Sequence, residues 1–306
     1  MKTAVVGAGA IGTYYGAKLA HAGNDVHFLM RGDLSDVQRD GIFVRGPGEN
    51  FRVSKVNCYN STTEIGPCDL AIIAVKATSN PDLVDLIPPL LRENTMLLTL
   101  QNGLGNEEFL AEHFGADRVL GGLCFIAVQR NSLTEVERFE FGDIVLGEFG
   151  RASQPRTREV SAAFNRAGVK CTVRENLALE RWRKLIWNIP FNGLAILAGG
   201  VDTGFIIRDK DLRKLALALM DEVIGAANKC GHALPNDAWT EHIKRTERMG
   251  GYKPSTLIDW EARKPLEIEA IWGEALRRGI AAEARMPRTE MVYALLRELN
   301  DRRRPQ

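Results

Sequence analysis

The chain has 306 residues, room for two domains of ordinary size and for a core that needs no disulfide or metal staple. Forty basic against 39 acidic side chains leave a net charge of +1, which gives no reason to expect nucleic acid or a membrane as partner. The cysteines, Cys58, Cys68, Cys124, Cys171 and Cys230, are odd in number and scattered, with no Cys-x-x-Cys pair. They fit free thiols of a reducing compartment better than a disulfide framework or a zinc site, and no metal is expected. No apolar run approaches the roughly 18 residues of a membrane span. Met-Lys-Thr-Ala-Val-Val-Gly enters a strand at once, with no room for a signal peptide. The expectation is a soluble, cytoplasmic protein whose tail, Arg302-Arg303-Arg304-Pro305, is a solvated end.

In chain order, Thr3–Val6 reads as a buried strand, followed by Gly7-Ala8-Gly9-Ala10-Ile11-Gly12 and a helix to about Ala22. Gly23-Asn24 ends that helix, and Asp25–Met30 reads as a second strand. A Gly-x-Gly-x-x-Gly run inside a strand–turn–helix–strand unit is the fingerprint of a dinucleotide site. The first glycine makes the tight turn, the second lets backbone approach a pyrophosphate, and the third lets helix and strand pack closely. The helix N-terminus then offers its unpaired N–H groups to the phosphates. An NAD enzyme usually carries an acidic residue at the end of the second strand, to hold the ribose 2′-hydroxyl. Here Phe28-Leu29-Met30 is followed by Arg31. A guanidinium suits a 2′-phosphate, so the pattern favours NADP(H), while Asp33 leaves NAD open.

Two more buried strands follow. Asp69–Val75 ends in Lys76, and Met96–Leu100 ends in Gln101-Asn102-Gly103-Leu104-Gly105. Ligands of open α/β sheets lie beyond the strands' carboxyl ends, which makes Lys76 and Asn102 candidates for ligand contact. A surface lysine and a turn-forming Asn-Gly are the plain alternatives. Val119–Val128, Val136–Phe141 and Ile144–Glu148 read as three strands joined by short turns such as Gly142-Asp143, an antiparallel extension of the sheet. Arg151–Pro155 reads as a polar loop, Arg158–Ala167 as a helix and Cys171–Val173 as a short strand.

Beyond Val173 the apolar residues recur at helical spacing, in Leu212–Cys230, Trp239–Met249 and Arg288–Leu299. The expected architecture is α/β: a Rossmann-type dinucleotide-binding domain, residues 1–174, followed by an all-helical domain, residues 175–306, with the active site in a cleft between them. Asn176 is placed to cap a helix starting at Leu177. In that helix Lys184, Asn188 and Asn192 recur every four residues in an apolar segment. They share a helical face, and a ligand rich in oxygen atoms would satisfy them. Pro190 predicts a kink in the helix, and Gly199-Gly200 its end. The plain alternative for Lys184 is a stem along the core with its head in water. Farther on, Ser255 or Thr256 is placed to cap the helix after Pro254, and Glu267 and Glu269 read as solvent-facing, with a functional role for Ser255 or Glu267 as the alternative.

Along nearly its whole length the sequence resembles the ketopantoate reductase (2-dehydropantoate 2-reductase) family. The likeness rests on Gly7 to Gly12, Arg31, Val75-Lys76, Gln101-Asn102-Gly103, Trp182-Arg183-Lys184-Leu185 with Asn188 and Asn192, and Ser255 with Glu267. It implies reduction of 2-dehydropantoate to (R)-pantoate by NADPH, on the route to pantothenate and coenzyme A. It implies that Lys184 is catalytic and that Asn188, Asn192 and Ser255 contact substrate. Asn102 falls at the cofactor–substrate junction, with Glu267 and Ala127 beside the cofactor. One residue departs: where the family often has a further substrate-binding asparagine, Asp202 stands. Its charge either disfavours a carboxylate substrate or points elsewhere, which keeps another branched 2-oxo acid in play.

A ketone that accepts hydride becomes an alkoxide, so a proton donor is needed. An ammonium at Lys184 can bond the carbonyl oxygen and deliver that proton, the more readily if partial burial lowers its pKa. Asn188 and Asn192 can orient substrate oxygens, Ser255 can donate to the carboxylate, and Glu267 can hold Lys184 or a substrate hydroxyl. A non-catalytic NADPH-binding sensor has no use for such a donor. Monomer and homodimer are both compatible with the sequence.

Overall fold

The computed structural model describes residues 1–32 and 34–303. Asp33, the residue that leaves NAD open, lies outside them, as do Arg304 and Pro305 of the tail. The chain divides into two compact units: Met1–Gln101 with Asn106–Leu177, and Asn102–Gly105 with the chain from Ala178 onward.

The first unit is built on one mixed sheet. Its strands are β1 (Lys2–Val6), β2 (Asp25–Leu29), β3 (Ile42–Gly46), β4 (Glu49–Val53), β5 (Asn57–Tyr59), β6 (Leu70–Ile73), β7 (Met96–Thr99), β8 (Val119–Arg130), β9 (Glu135–Glu148) and β10 (Cys171–Val173). They lie in the order β4-β3-β9-β8-β7-β6-β1-β2-β5, with β10 beside β9. Strands β8, β7, β6, β1, β2 and β5 run parallel in succession. Every residue of β6 and β7 is buried, as befits central parallel strands covered on both faces. Helix α1 (Ala10–His21) connects β1 to β2. It is also bonded to the far side of the sheet: Tyr14 Oη donates to Glu49 Oε1 at 2.9 Å, Lys18 Nζ to Glu49 Oε2 at 2.8 Å, and Tyr15 Oη to the Gly142 carbonyl at 3.3 Å.

Two features of the sheet differ from the expectation. Gly142-Asp143 does not turn the chain. Val136–Phe141 and Ile144–Glu148 belong to one strand, β9, paired antiparallel with β8. Phe125 faces Asp143 while Ile126 faces Phe141, so Gly142 is an extra residue, with φ at 138° and Phe141 at 56°. Phe139 is skipped in the same way between Ala127↔Glu140 and Val128↔Arg138. Such bulges bend a strand without ending it. The second difference is the hairpin β3–β4 together with β5, in a stretch whose charges obscure its period. The hairpin turns through Pro47-Gly48, with Gly48 at φ 73°. Helix α2 (Asn106–Phe114) follows the loop after β7. Helix α3 (Pro155–Arg166) starts ahead of the expected Arg158, because Pro155 suits the first helical position and Thr157 Oγ1 accepts from the Gln154 N–H at 2.9 Å.

The second unit is helical: α4 (Leu177–Leu197), α5 (Thr203–Arg208), α6 (Lys210–Lys229), α7 (Thr240–Met249), α8 (Ser255–Glu261), a π-helical turn (Glu269–Gly273) leading into α9 (Glu274–Ala281), and α10 (Pro287–Asp301). Trp182, Ile186, Ile189, Phe191, Leu219, Met220, Val223 and Trp272 are among the buried residues of its core. Pro190 lies inside α4 without breaking it, and the indole N–H of Trp272 donates to the neighbouring Ile189 carbonyl at 3.0 Å. The helix stops at two left-handed glycines, Gly199 (φ 94°) and Gly200 (φ 87°), whose N–H groups return to Ile196 and Ala195. That is the usual way a helix end satisfies its last carbonyls.

Helix α7 carries a titration that couples to stability. Burial, then Arg245 and Arg183, lower the His242 pKa to about 4. The folded state therefore holds a neutral imidazole, while the unfolded chain takes a proton near pH 6.5. Stability is unaffected above that pH and falls as the pH drops from about 6.5 towards 4, because unfolding gains a proton that the fold refuses. In urea titrations, the midpoint of His242→Gln should fall less between pH 7 and pH 5 than that of the wild type.

Candidate active site

Lys184, Asn188 and Asn192 occupy successive turns of α4. Asn188 and Asn192 are buried, at 6% and 2% exposure, and Lys184 is half-buried. The Lys184 ammonium donates to Asn102 Oδ1 at 2.7 Å, so its head is engaged by the protein and is not simply extended into water. Asn192 Nδ2 donates to the Asn188 carbonyl at 2.9 Å, and Asn192 Oδ1 accepts from the Thr256 N–H at 3.2 Å. The second bond fastens the start of α8 to α4 and brings Ser255 beside Asn192. The result is a face of amide and ammonium groups set in an apolar core, suited to carbonyl, hydroxyl and carboxylate oxygens.

Asn102 reaches Lys184 because its loop is clamped. The Leu104 N–H donates to the Ala270 carbonyl at 2.8 Å, and Leu104 is buried in the core of the helical unit. Ala270 lies in the π-helical turn, where the regular i→i+4 ladder is loosened. Gly103 passes over that carbonyl at φ 87°; a Cβ there would stand 2.2 Å from the Ala270 oxygen. Only glycine meets both demands. On the first unit's side the loop ends are bracketed by one residue: Gln101 Nε2 donates to Asn80 Oδ1 at 2.7 Å, and Asn80 Nδ2 donates to Asn106 Oδ1 at 3.0 Å. Sequence reasoning gave Gly103 only a turn-forming part and assigned no role to Asn80 or Ala270. For Gly103 the signal was the Asn-Gly pair; for Asn80 and Ala270 there was none, because their contacts join distant parts of the chain.

Two expectations change at this site, and one of the two alternatives for Asp202 is met. Ser255 does not cap α8: it is the first helical residue and is exposed, and Pro254 holds the cap position. Thr256, the other candidate, is likewise inside the helix. Glu267 is buried, at 6% exposure, and its carbonyl accepts from the Ile271 N–H at 3.1 Å. Glu269 is the solvent-facing one and pairs with Arg277 at 2.7 Å. Asp202 is the N-cap of α5, with Oδ1 accepting from the Phe205 N–H at 2.7 Å, so its carboxylate is engaged at the end of a helix.

In the first unit the glycine loop has the geometry its spacing predicts. Gly7 is left-handed at φ 101°, and a Cβ on it would meet Val75 N at 2.5 Å; one on Gly12 would meet the Gly7 carbonyl at 2.1 Å. At Gly9, the N-cap of α1, a Cβ would meet nothing within 4 Å. Gly7 and Gly12 close the turn, and Gly9 leaves the helix N-terminus open, with Ala8, Ala10 and Ile11 completing the loop. The residues present therefore fit a dinucleotide's phosphates. Arg31 is exposed, with Nη2 3.7 Å from Asp82 Oδ2. Asp82 belongs to the turn Ala77–Asp82 that begins after exposed Lys76, so Arg31 and the Lys76 loop are neighbours. An ion pair this loose and exposed costs little to break. Ala127 is buried in β8, opposite Glu140 of β9.

A glycine loop of this geometry on a parallel sheet, and an engaged lysine in the helical unit, suit an oxidoreductase that uses a nicotinamide dinucleotide. Comparison with known proteins narrows the class. The family model described as ketopantoate reductase PanE/ApbA matches residues 3–151, and its C-terminal counterpart matches residues 176–300. A 2-dehydropantoate 2-reductase of Nostoc sp. is 36% identical over 99% of this chain and 96% of its own. The crystal structure of 2-dehydropantoate 2-reductase from Geobacter metallireducens superposes with a TM-score of 0.95 at 42% identity, covering 98% of this chain and 100% of its own. That from Methylococcus capsulatus gives 0.91 at 32%, covering 100% and 99%. The chain belongs to the ketopantoate reductase PanE/ApbA family.

The clamp yields a prediction. In Gly103→Ala, a left-handed alanine pressed against the Ala270 carbonyl should cost on the order of 1–3 kcal/mol of stability. It should also lower turnover at least about tenfold by shifting Asn102 away from Lys184. Thermal unfolding and steady-state kinetics of the purified variant check both.

Proposed function

We propose that this protein catalyses the NADPH-dependent reduction of 2-dehydropantoate to (R)-pantoate, with Lys184 as proton donor. The observation that carries the reading is the 2.7 Å bond from Lys184 to Asn102, next to buried Asn188 and Asn192 on the same helix. A bound nicotinamide dinucleotide supplies the hydride. The protein must then hold the 2-oxo acid and manage the charge that grows on its ketone oxygen. The Lys184 ammonium donates a hydrogen bond to that oxygen and gives up its proton as the alkoxide forms. Asn102 keeps the ammonium aimed by accepting one of its three N–H bonds. Asn188 and Asn192 orient hydroxyl and carbonyl oxygens without adding charge, and Ser255, exposed beside Asn192, donates to the carboxylate.

Arg31 and Lys76 are proposed as the pair that meets a 2′-phosphate, with Gly7 to Gly12 holding the pyrophosphate. The neighbouring positions of Arg31 and the Lys76 loop support NADPH over NADH. Ala127 and Glu267 are proposed cofactor neighbours, on the family resemblance. The Asp202 carboxylate caps a helix and so does not oppose a substrate carboxylate, which supports a 2-oxo acid as substrate. The Lys184–Asn102 pair supports an enzyme over a sensor.

Lys184→Ala should lower kcat by about 10²–10⁴-fold, the usual worth of a positioned general acid, while the Kd for NADPH stays within about threefold of wild type. Near-wild-type turnover would sink the assignment. Assayed by NADPH absorbance against a panel of branched 2-oxo acids, the wild type should prefer 2-dehydropantoate. Arg31→Ala should narrow the preference for NADPH over NADH by about tenfold or more through loss of a charge-assisted pair; an unchanged ratio would remove Arg31 from the cofactor site.

A further inference from the structure

The wrap of the sheet around α1 brings one more cation to the glycine loop. Arg130, the last residue of β8, is half-buried. Its Nη1 donates to the Ala8 carbonyl, and its Nε donates to the Ser132 carbonyl at 2.9 Å. Those bonds use two of the five N–H groups of a guanidinium. Among the described residues no carboxylate pairs with it. Two acids of the adjoining strand are paired elsewhere, Glu135 with Asn131 and Arg45 and Glu137 with Asn131. By contrast, Arg138 on β9 is paired with Glu49.

This placement is electrostatically costly as it stands. The N-terminus of α1 carries the positive end of the helix dipole, and Arg130 adds a whole positive charge beside the same loop. Burial already pulls the guanidinium below its ordinary pKa. An anion at the loop would offset both positive poles at once.

We propose that Arg130 is a cofactor-binding residue that holds the dinucleotide's pyrophosphate from the β8 side of the glycine loop. The inference rests on the dinucleotide reading of that loop. The pyrophosphate is the group in question because Arg130 is bonded to Ala8, inside the turn that a pyrophosphate approaches, whereas Arg31 follows β2, where the ribose is read. The guanidinium keeps its bond to Ala8 and offers its remaining N–H groups to phosphate oxygens, so it shapes the loop and pays part of the anion's desolvation together with the helix end.

The test is fluorescence titration of the whole protein with NADPH and with NADH, for wild type, Arg130→Gln and Arg130→Lys, across a range of salt. Arg130→Gln should raise both Kd values by the same factor, about tenfold. It should also flatten the dependence of Kd on salt, and Arg130→Lys should recover part of the loss. Unchanged Kd values would overturn the proposal. So would a loss confined to NADPH, which would put the guanidinium on the 2′-phosphate. A loss that keeps the wild-type salt dependence and is not relieved by lysine would mean that Arg130 only props the loop, and overturns it as well. Should Arg130→Gln fail to fold, as judged by circular dichroism, Arg130→Lys and the wild-type salt dependence decide by the same criteria. Wild-type protein that bound neither dinucleotide would instead overturn the cofactor reading on which the inference stands.

Discussion

The interaction on which the candidate site depends is the bond from the Lys184 ammonium to the Asn102 amide. A half-buried ammonium must find an acceptor, and an acceptor arriving on a loop is useful only if the loop is held. Here the hold is main-chain: Gly103 adopts a left-handed conformation, and the Leu104 N–H reaches the carbonyl that the π-helical turn presents at Ala270. The backbone-to-backbone attachment holds the loop in place, and the Asn102 amide oxygen accepts from Lys184. Asn80 bonds the residues at both ends of the loop, which limits the ways the four residues between them can move.

The first unit meets a different demand, a tight turn that leaves backbone open at the N-terminus of α1. Gly7 and Gly12 are glycines because atoms of Val75 and Gly7 already occupy the space a Cβ would need, and Gly9 is one because that space is open. The bulged β9 strand serves the same end from a distance. By bending rather than turning back at Gly142, it carries the sheet to Tyr15. Helix α1 is thereby held along its length, and the residue at the end of β8 lies against the loop.

What could be read from the sequence was what is local. Gly7 to Gly12 announced a tight strand-to-helix turn because the strand and helix flanking it are adjacent in the chain. The central strands β6 and β7 were plain because burial on both faces leaves only apolar residues. Lys184, Asn188 and Asn192 stood out as polar positions at helical spacing in an apolar run. The π-helical turn at Ala270 was invisible, since nothing near residue 270 says that a loop near 103 will seek its carbonyl. Strands β3 and β4 were missed although Pro47-Gly48 marked their turn, because Arg45, Glu49 and Arg52 disguised the alternation. Gly142 was taken for a turn because a glycine before an aspartate has the same composition in a bulge. Asp202 was ambiguous for another reason: whether a carboxylate caps a helix or faces a ligand depends on where the next helix starts.

The assignment of Asn102–Gly105 to the helical unit has a consequence for how this chain can be taken apart. The two units are not consecutive in sequence. Four residues in the middle of the first stretch belong to the second, so no single scission yields two intact pieces. A fragment ending at Leu177 would carry a loop stripped of the carbonyl that holds it, and a fragment starting at Ala178 would bury a lysine that has lost its amide. Complementation of the two fragments, rather than either alone, is what would restore the Lys184–Asn102 pair.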